Sequence, residues 1–237
     1  MSGRLTGVGV GPGDPELLTV KGLRVLREAD EVFVPMAADT GEVGRAEATV
    51  REYLDEGRIT RLLFALSDDT EARERNWTNA ASEVSGRLRD GETCAFATLG
   101  DPNVYSTFTY LARAVREVEP HVEIQTVPGI TAMQDLASRS GTVLLEGDGR
   151  LALLPFTAGE EPLREALAGF ETVVCYKGGS RLAGVLRVAE EEGRMESAVY
   201  GARLGIEGEE VVAAREMVGR EGMYLSTVVF TGGSGIG

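Results

Sequence analysis

The chain has 237 residues, and its 24 Lys and Arg against 38 Asp and Glu give a formal net charge of −14. Such an acidic protein is a poor general binder of DNA, RNA or anionic lipid, because the phosphates repel it. The apolar fraction of 43% fits a globular protein with one large α/β domain or two smaller ones. The sequence contains no apolar run of about 18 residues, so we predict no membrane-spanning helix. The first residues lead directly into a strand-like run without a signal peptide, so we expect a cytoplasmic protein.

Strand-like apolar runs alternate with helix-like stretches along the chain. Strands are predicted at 5–10, 31–35, 59–66, 93–99, 122–127, 151–156, 172–177, 196–201 and 223–230. A first helix is predicted to end near Asp30, and others to cover 44–57, 71–90, 104–118, 131–139, 162–169 and 181–192. This alternation predicts an α/β fold, with parallel strands at least in the first half.

The sequence also indicates a domain boundary and the start of the first helix. Val118-Glu119-Pro120 is typical of a hinge, and we therefore predict two domains, residues 1–119 and 120–237. The first helix has two alternative starts. Either Asp14 caps it with Pro15 in the first helical position, or Thr19 caps it later.

Few residues are available for nucleophilic or metal chemistry. The single histidine, His121, follows Pro120 at the start of a predicted strand, where a surface position is expected. A Ser-His-Asp or Cys-His mechanism would have to use it, and one histidine excludes multi-histidine metal sites, so we predict no metal. Cys94 and Cys175 lie in separate apolar runs without CxxC spacing, which predicts buried, reduced thiols.

A glycine-rich segment, GVGVGPGDPELLT, follows the first strand at residues 7–19. The GxGxxG pattern of dinucleotide-binding loops fails in both registers, because Pro12 or Asp14 stands where the third glycine belongs. No GKS or GKT follows, so a phosphate loop is also disfavoured. Two interpretations remain. The segment is a tight strand-to-helix turn, or it lets a ligand without a pyrophosphate approach the main chain.

Two later segments have the same form of strand, Gly/Pro turn and helix start. They are ATLGDPNVYSTF at 97–108 and VPGITAM at 127–133. A structural interpretation makes Asp101 and Thr131 helix caps, with Pro102 in a first helical turn. A functional interpretation places all three turns at the carboxyl ends of strands, where open α/β sheets bind ligands in one cleft.

In this order and spacing, GVGVGPGDPELLT, LGDPNVYSTF and VPGITA resemble the tetrapyrrole methylase family of S-adenosylmethionine-dependent methyltransferases. The resemblance covers most of the chain and weakens after about residue 205. YST after GDP, with LLEGDGRLALLPF at 144–156, is most similar to the branch that methylates C20 of precorrin-2 or cobalt-precorrin-2 in cobalamin biosynthesis. The resemblance therefore implies a C20-methyltransferase.

The resemblance also implies two α/β domains with the active-site cleft between them, S-adenosylmethionine as methyl donor, a tetrapyrrole substrate and a homodimer. Matched position by position, the implied cofactor contacts are Pro12, Leu99, Gly100, Asp101, Val104, Thr131, Ala132, Lys177 and Ala202. Two of these depart from the family pattern. Lys177 stands where methionine or another residue is common, and Ala202 where glycine is frequent.

Further roles are hypotheses from loop position. Tyr105 and Asp14 are candidate proton acceptors, although Tyr105 can instead pack under a helix and Asp14 can cap one. A precorrin carries eight carboxylates, so an acidic protein needs a local cationic rim to bind it. The candidates for this rim, each otherwise a solvated surface charge, are Arg139, Arg150, Arg181 and Arg203.

Three alternatives stay open. The chain is another methylase of the same fold, acting on uroporphyrinogen III, a later corrinoid or a protein side chain. Or it binds a tetrapyrrole or the cofactor without catalysis, an alternative that Lys177 raises, because an ammonium repels a nearby sulfonium. A nucleotide enzyme is the third alternative, weakened by the failed glycine patterns.

Overall fold

A computed structural model describes residues 3–37, 42–64, 70–177, 179–223 and 225–232. The chain divides into two compact units, Met1–Thr131 and Ala132–Gly237. The described strands are β1 (Arg4–Gly9), β2 (Glu31–Met36), β3 (Ile59–Leu63), β4 (Thr93–Thr98), β5 (Glu123–Val127), β6 (Leu151–Pro155), β7 (Thr172–Tyr176), β8 (Ala198–Ala202), β9 (Glu210–Ala213) and β10 (Ser226–Phe230). The described α-helices are α1 (Val20–Glu28), α2 (Arg45–Arg51), α3 (Thr70–Arg89), α4 (Phe108–Val118), α5 (Ala132–Ser140), α6 (Glu160–Gly169) and α7 (Leu182–Glu191).

The first unit is a parallel sheet with helices on both faces. Its strands lie in the order β3-β2-β4-β1-β5, and every neighbouring pair is parallel. Side chains alternate between the faces along β2: Phe33 packs with residues of α3 and α4, whereas Val32 and Val34 pack with residues of α1 and α2. Both faces of each central strand are therefore apolar. This is why the sequences of these strands are continuous hydrophobic runs.

The second unit has a mixed sheet in the order β6-β7-β10-β8-β9. Strands β6 and β7 pair in parallel, and the other neighbouring pairs are antiparallel. Helices α6 and α7 cover one face around Tyr200 and Phe230. Helix α5 covers the other face, where Leu136 packs with Val174 and Val229. The predicted α/β class and the parallel first half are thus confirmed.

The units divide after Thr131, whereas the sequence predicts a boundary at 119–120. The difference is β5, which pairs in parallel with β1 from Arg4↔Glu123 to Val8↔Val127. This pairing joins residues more than a hundred positions apart, so the local hinge-like composition of Val118-Glu119-Pro120 carries no sign of it.

The structure confirms Thr19, one of the two predicted starts, for the first helix and gives a later start than predicted for α4. Helix α1 begins after Thr19, whose Oγ1 accepts from Gly22 N at 3.0 Å. Asp14 caps a short 3-10 turn, because its Oδ1 accepts from Glu16 N at 2.9 Å. Helix α4 begins four residues later than expected, where Phe108 N donates to Ser106 Oγ at 3.1 Å.

Strand β9 was not predicted, and the end of the third predicted strand, residues 65–66, lies outside the described residues. His121 is exposed and precedes β5. Cys94 and Cys175 are buried free thiols, as predicted, and burial raises the pKa of each to about 12. None of the described helices has both the length and the apolar character needed to cross a bilayer.

A buried carboxylate joins α2 to the edge of the first sheet. Glu47 is 2% exposed. Its Oε2 accepts from Arg61 Nε of β3 at 2.8 Å, and its Oε1 accepts from Arg51 Nε at 2.9 Å. Burial alone would raise the pKa of Glu47, but hydrogen bonds and charge attraction from Arg61 and Arg51 outweigh burial and lower it.

We expect Glu47→Gln to lower the free energy of unfolding by about 2–4 kcal/mol at neutral pH, because two arginines lose their buried partner. Since the folded-state pKa of Glu47 is lowered, its contribution is complete above about pH 4.3 and is lost as the pH falls through the folded value. Urea unfolding of both proteins across this range measures the difference. Glu56→Gln, at an exposed partner of Arg51, is the control and should change stability little. An equal effect at every pH would contradict this account.

Candidate functional site

The three predicted loops meet at one edge of the first sheet. Strands β4, β1 and β5 are adjacent and parallel, so their carboxyl ends lie side by side. Gly100 N donates to Gly11 O at 2.7 Å and joins the first two loops. Gly129 N donates to Asp101 Oδ2 at 3.0 Å and joins the third loop to the second.

Bare main chain forms the centre of this meeting point. A Cβ atom built on Gly9 would lie 2.5 Å from Gly100 O and 2.6 Å from Gly129 N. A Cβ on Gly129 would lie 2.1 Å from Gly100 O. All three distances are shorter than any side chain tolerates, so only glycine fits at these two positions. We call Gly9, Gly11, Gly100 and Gly129 the glycine junction.

Gly100 differs from its neighbours in the glycine junction because it faces open space. Its φ of +70° is one that favours glycine, and a Cβ built on it would have nothing within 4 Å. The junction therefore holds Gly100 tightly through its N–H and carbonyl while leaving its α-carbon accessible. A ligand can approach the main chain here without meeting a side chain.

Asp101 is not the helix cap that the structural interpretation proposed. Its Oδ1 accepts from Asn103 N at 2.8 Å, and its Oδ2 accepts from Gly129 N. Helix α4 begins seven residues after Asp101, at Phe108, so its amides are out of reach. The carboxylate instead fixes one loop to another, and both of its oxygens are engaged in doing so.

The other predicted residues of the first unit lie in the same loops. Pro12 and Thr131 are buried, whereas Leu99 and Val104 are half-buried. Tyr53 was not predicted, yet its hydroxyl donates to Pro15 O at 3.0 Å and holds the loop after β1.

The predicted residues of the second unit gather around the start of α5. Ala132 is its first residue, and the next amide, Met133 N, donates to Tyr176 Oη at 3.1 Å. Lys177 directly follows Tyr176 in the chain. Sequence reasoning missed Tyr176, because a tyrosine at the end of a strand has no motif that indicates a contact with a distant helix.

Ala202 lies at the end of β8, with its side chain in the core. It is 1% exposed and packs in the cluster that contains Tyr200 and Val228. Its main chain lies between Ser226 of β10 and Glu210 of β9, so the whole residue is enclosed. On the other face, Leu136 of α5 packs so closely on Gly201 that a Cβ there would lie 2.5 Å from its Cδ1.

Backbone strain coincides with residues that the sequence singled out. Among the described residues, the non-glycine positions with positive φ are Tyr105 at 48°, Lys177 at 58° and Arg203 at 52°. Side chains other than Asn and Asp rarely adopt this region, and such outliers concentrate at functional sites. Tyr105 is 45% exposed, so the alternative that it packs under a helix is wrong.

The four candidate rim arginines differ in their surroundings. Arg139 pairs with Asp135 at 2.8 Å and with Glu209 at 2.7 Å. Arg150 forms an ion pair and two further hydrogen bonds with Glu171, whose pKa the hydrogen bonds from the Arg150 side chain and amide lower to about 2.

The remaining two arginines have no acidic partner among the ion pairs of the described residues. Arg181 is exposed and lines a surface cavity with Phe156 and Glu160. Arg203 Nε is buried without a hydrogen bond. Of the four candidates, Arg181 and Arg203 are therefore the two whose charge is not neutralised by an acidic side chain among the described residues.

Comparison with known proteins identifies the class of this chain. The family model of tetrapyrrole (corrin/porphyrin) methylases matches residues 4–217. A precorrin-2 C(20)-methyltransferase of Sinorhizobium sp. is 34% identical over 97% of this chain and 96% of its own length. A cobalt-precorrin-2 C(20)-methyltransferase of Salmonella typhimurium is 29% identical over 89% of this chain and 87% of its own.

A solved structure shows the same fold. The uroporphyrin-III C-methyl transferase of Thermus thermophilus, complexed with S-adenyl homocysteine, matches with a TM-score of 0.68 and 21% identity, over 96% of this chain and 92% of that one. This chain belongs to the tetrapyrrole methylase family. The predicted resemblance and the α/β fold are thereby confirmed.

The glycine junction makes a direct prediction about stability. We expect Gly129→Ala to lower the free energy of unfolding by about 3 kcal/mol or more, since the new methyl group overlaps main chain that cannot move aside. The matched control is Gly86→Ala in α3, where a Cβ has nothing within 4 Å. Alanine should stabilise that helix by up to about 1 kcal/mol. Chemical denaturation compares the two variants, and equal midpoints would contradict the described contact.

Proposed function

We propose that this chain transfers a methyl group from S-adenosylmethionine to C20 of precorrin-2 or cobalt-precorrin-2, in the biosynthesis of the cobalamin ring. The observation that carries this proposal is the 34% identity to a precorrin-2 C(20)-methyltransferase over 97% of the chain. Other tetrapyrrole methylases act on uroporphyrinogen III or later corrinoids, and a non-catalytic member would only bind. A methyl-transfer experiment with several tetrapyrroles distinguishes these alternatives.

The glycine junction suits this methyl donor. S-adenosylmethionine supplies an electrophilic methyl group on a sulfonium cation and carries no phosphate. The loop after β4 leaves the main chain of Gly100 accessible, and Pro12 in the loop after β1 has no N–H to offer a phosphate. We propose that Pro12, Leu99, Gly100, Asp101, Val104, Thr131, Ala132, Lys177 and Ala202 contribute to this site.

Within that set the main chain carries most of the proposed contacts. Asp101 acts indirectly, because both of its oxygens hold the loops. Ala202 also acts indirectly, because the whole residue is 1% exposed. Tyr176 supports the set by fixing the first turn of α5, next to Ala132.

The main requirement of the reaction is that the methyl group of the donor be aligned with C20 of the acceptor. A C–C bond forms at C20 while the C–S bond breaks, the bonding pair stays on sulfur, and one proton later leaves C20. Holding two reactants in line contributes up to roughly 7–11 kcal/mol. The junction is suited to this task because close main-chain contacts and the carboxylate of Asp101 fix its loops to one another.

Proton removal is the one step that asks for a side chain. We keep Tyr105 and Asp14 as the candidate acceptors. Tyr105 is exposed and held in a strained backbone conformation, whereas Asp14 uses one oxygen to cap the 3-10 turn at Pro15–Leu17. We further propose a homodimer, as the family resemblance implies, and a cytoplasmic location.

The role of Gly100 separates cofactor binding from stability. We expect Gly100→Ala to weaken S-adenosylmethionine binding at least about tenfold, because the new methyl group occupies the space through which the ligand reaches the main chain. Gly193→Ala is the control, since Gly193 has a φ of +66° and equally open surroundings at the end of α7. Both variants should lose a similar, small stability, but only Gly100→Ala should bind the cofactor less in calorimetric titration. Equal affinities would contradict the proposed site.

The proposed reaction is tested by incubating the protein with isotopically labelled S-adenosylmethionine and enzymatically made precorrin-2, followed by mass measurement. We expect precorrin-2 to gain one labelled methyl group, located at C20 by NMR. Parallel incubations use uroporphyrinogen III and cobalt-precorrin-2. Methylation of uroporphyrinogen III alone would indicate the alternative methylase, and binding without transfer to any tetrapyrrole would indicate the non-catalytic member.

A further inference from the structure

Two cationic residues follow the ends of strands β7 and β8, which lie at the same edge of the second unit's sheet. Strands β7 and β8 both flank β10, and Thr227 of β10 pairs with Tyr176 on one side and Gly201 on the other. Lys177 follows Tyr176 directly, and Arg203 comes two residues after Gly201. Neighbouring strands lie about 4.8 Å apart, so the two cationic positions are separated by roughly 10 Å.

The backbone conformation at both positions is one that glycine adopts more readily than other residues do. Lys177 has a φ of 58° and Arg203 a φ of 52°. Neither residue is Asn or Asp, the types that tolerate this region best. Two large cations therefore occupy strained positions at corresponding ends of two strands, and strain of this kind marks functional sites more often than structural ones.

The positive charge of Arg203 is not neutralised by an acidic side chain among the described residues. Its guanidinium lies against Gly208, whose ideal Cβ would be 3.3 Å from Arg203 Cζ. The same loop contains two acids, Glu207 and Glu209, and Glu209 pairs with Arg139 at 2.7 Å and accepts from Gly205 N at 2.6 Å. Among the ion pairs of the described residues Arg203 has none, and its buried Nε lacks a hydrogen bond.

We propose that Lys177 and Arg203 together bind two carboxylates of the methyl acceptor. This inference rests on the proposed function, because it takes the acceptor to be a polycarboxylate macrocycle. The two strands lie about 10 Å apart, and a ring that carries eight carboxylates can present two of them to the two cations at once. The methyl donor has a single carboxylate and can engage only one of the two cations.

This assignment also removes a difficulty with Lys177. An ammonium group beside the sulfonium of the donor would repel it. Directed at an acceptor carboxylate, the same charge attracts substrate to a protein whose net charge of −14 otherwise repels it. Lys177 and Arg203 thus determine specificity for acidic acceptors, and the contact of Lys177 with the donor is limited to its main chain.

Glycine substitutions test the pair without disturbing the fold. Lys177→Gly and Arg203→Gly remove the charge and relieve the strained backbone together, so thermal stability should be unchanged or slightly higher. A residue needed only for structure would not behave in this way. If a glycine variant does not fold, Lys177→Asn and Arg203→Asn replace it, because Asn tolerates the same φ. The control is Arg215→Gln, an exposed arginine paired with Glu196.

The measurement is the affinity of each variant for precorrin-2, from its visible spectrum under anaerobic conditions, and for S-adenosylmethionine, from calorimetry. We expect each single variant to bind precorrin-2 about tenfold more weakly and the double variant about a hundredfold. The cofactor affinity of Arg203→Gly should stay within twofold, and Arg215→Gln should match the unaltered protein in both affinities.

The possible results separate this inference from the proposed function. Unchanged precorrin-2 affinity in the double variant, with methyl transfer by the unaltered protein intact, overturns the pair alone. A fall in cofactor affinity with unchanged precorrin-2 affinity also overturns it, by assigning the pair to the donor carboxylate. If the unaltered protein binds no tetrapyrrole, both proposals fail. If it binds precorrin-2 without transferring a methyl group, only the proposed reaction fails, and the variants still decide the role of the pair.

Discussion

The contact between three strand ends through bare main chain is the constraint on which the first unit depends. Gly9 and Gly129 approach the carbonyl of Gly100 so closely that neither can carry a side chain. This contact is possible because β4, β1 and β5 are parallel neighbours, whose carboxyl ends reach the same edge. Asp101 completes it by accepting the amide of Gly129. The outcome is a rigid surface with one accessible α-carbon, at Gly100.

The second unit instead provides cationic side chains at positions of strained backbone. An acidic protein that acts on a polycarboxylate must concentrate positive charge where the substrate binds and neutralise the rest. Arg139 and Arg150 are held by acidic partners, whereas Arg203 stays unpaired among the described residues, in a backbone conformation that few arginines adopt. Arg203 therefore keeps a positive charge that the proposed acceptor can use.

How much the sequence could predict depends on the range of each interaction. The α/β class, the parallel first half and the three loops can be derived from local patterns of apolar runs and Gly/Pro turns. The role of Asp101 could not be predicted, because its partner Gly129 comes from a strand paired far away in sequence. The predicted boundary at 119–120 differs from the division after Thr131 for the same reason, since β5 pairs with β1. Tyr176, Tyr53 and the ion pairs of the arginines likewise depend on tertiary contacts that no local motif encodes.

The central claim is that the glycine junction receives the methyl donor through the exposed main chain of Gly100. A crystal structure of the protein with S-adenosylhomocysteine tests it most directly. The account predicts ligand density in hydrogen-bond or van der Waals contact with the main chain of Gly100 and with the loops that contain Pro12 and Thr131. Density for the ligand at any other place on the protein, with the space beside Gly100 filled only by solvent, would contradict it.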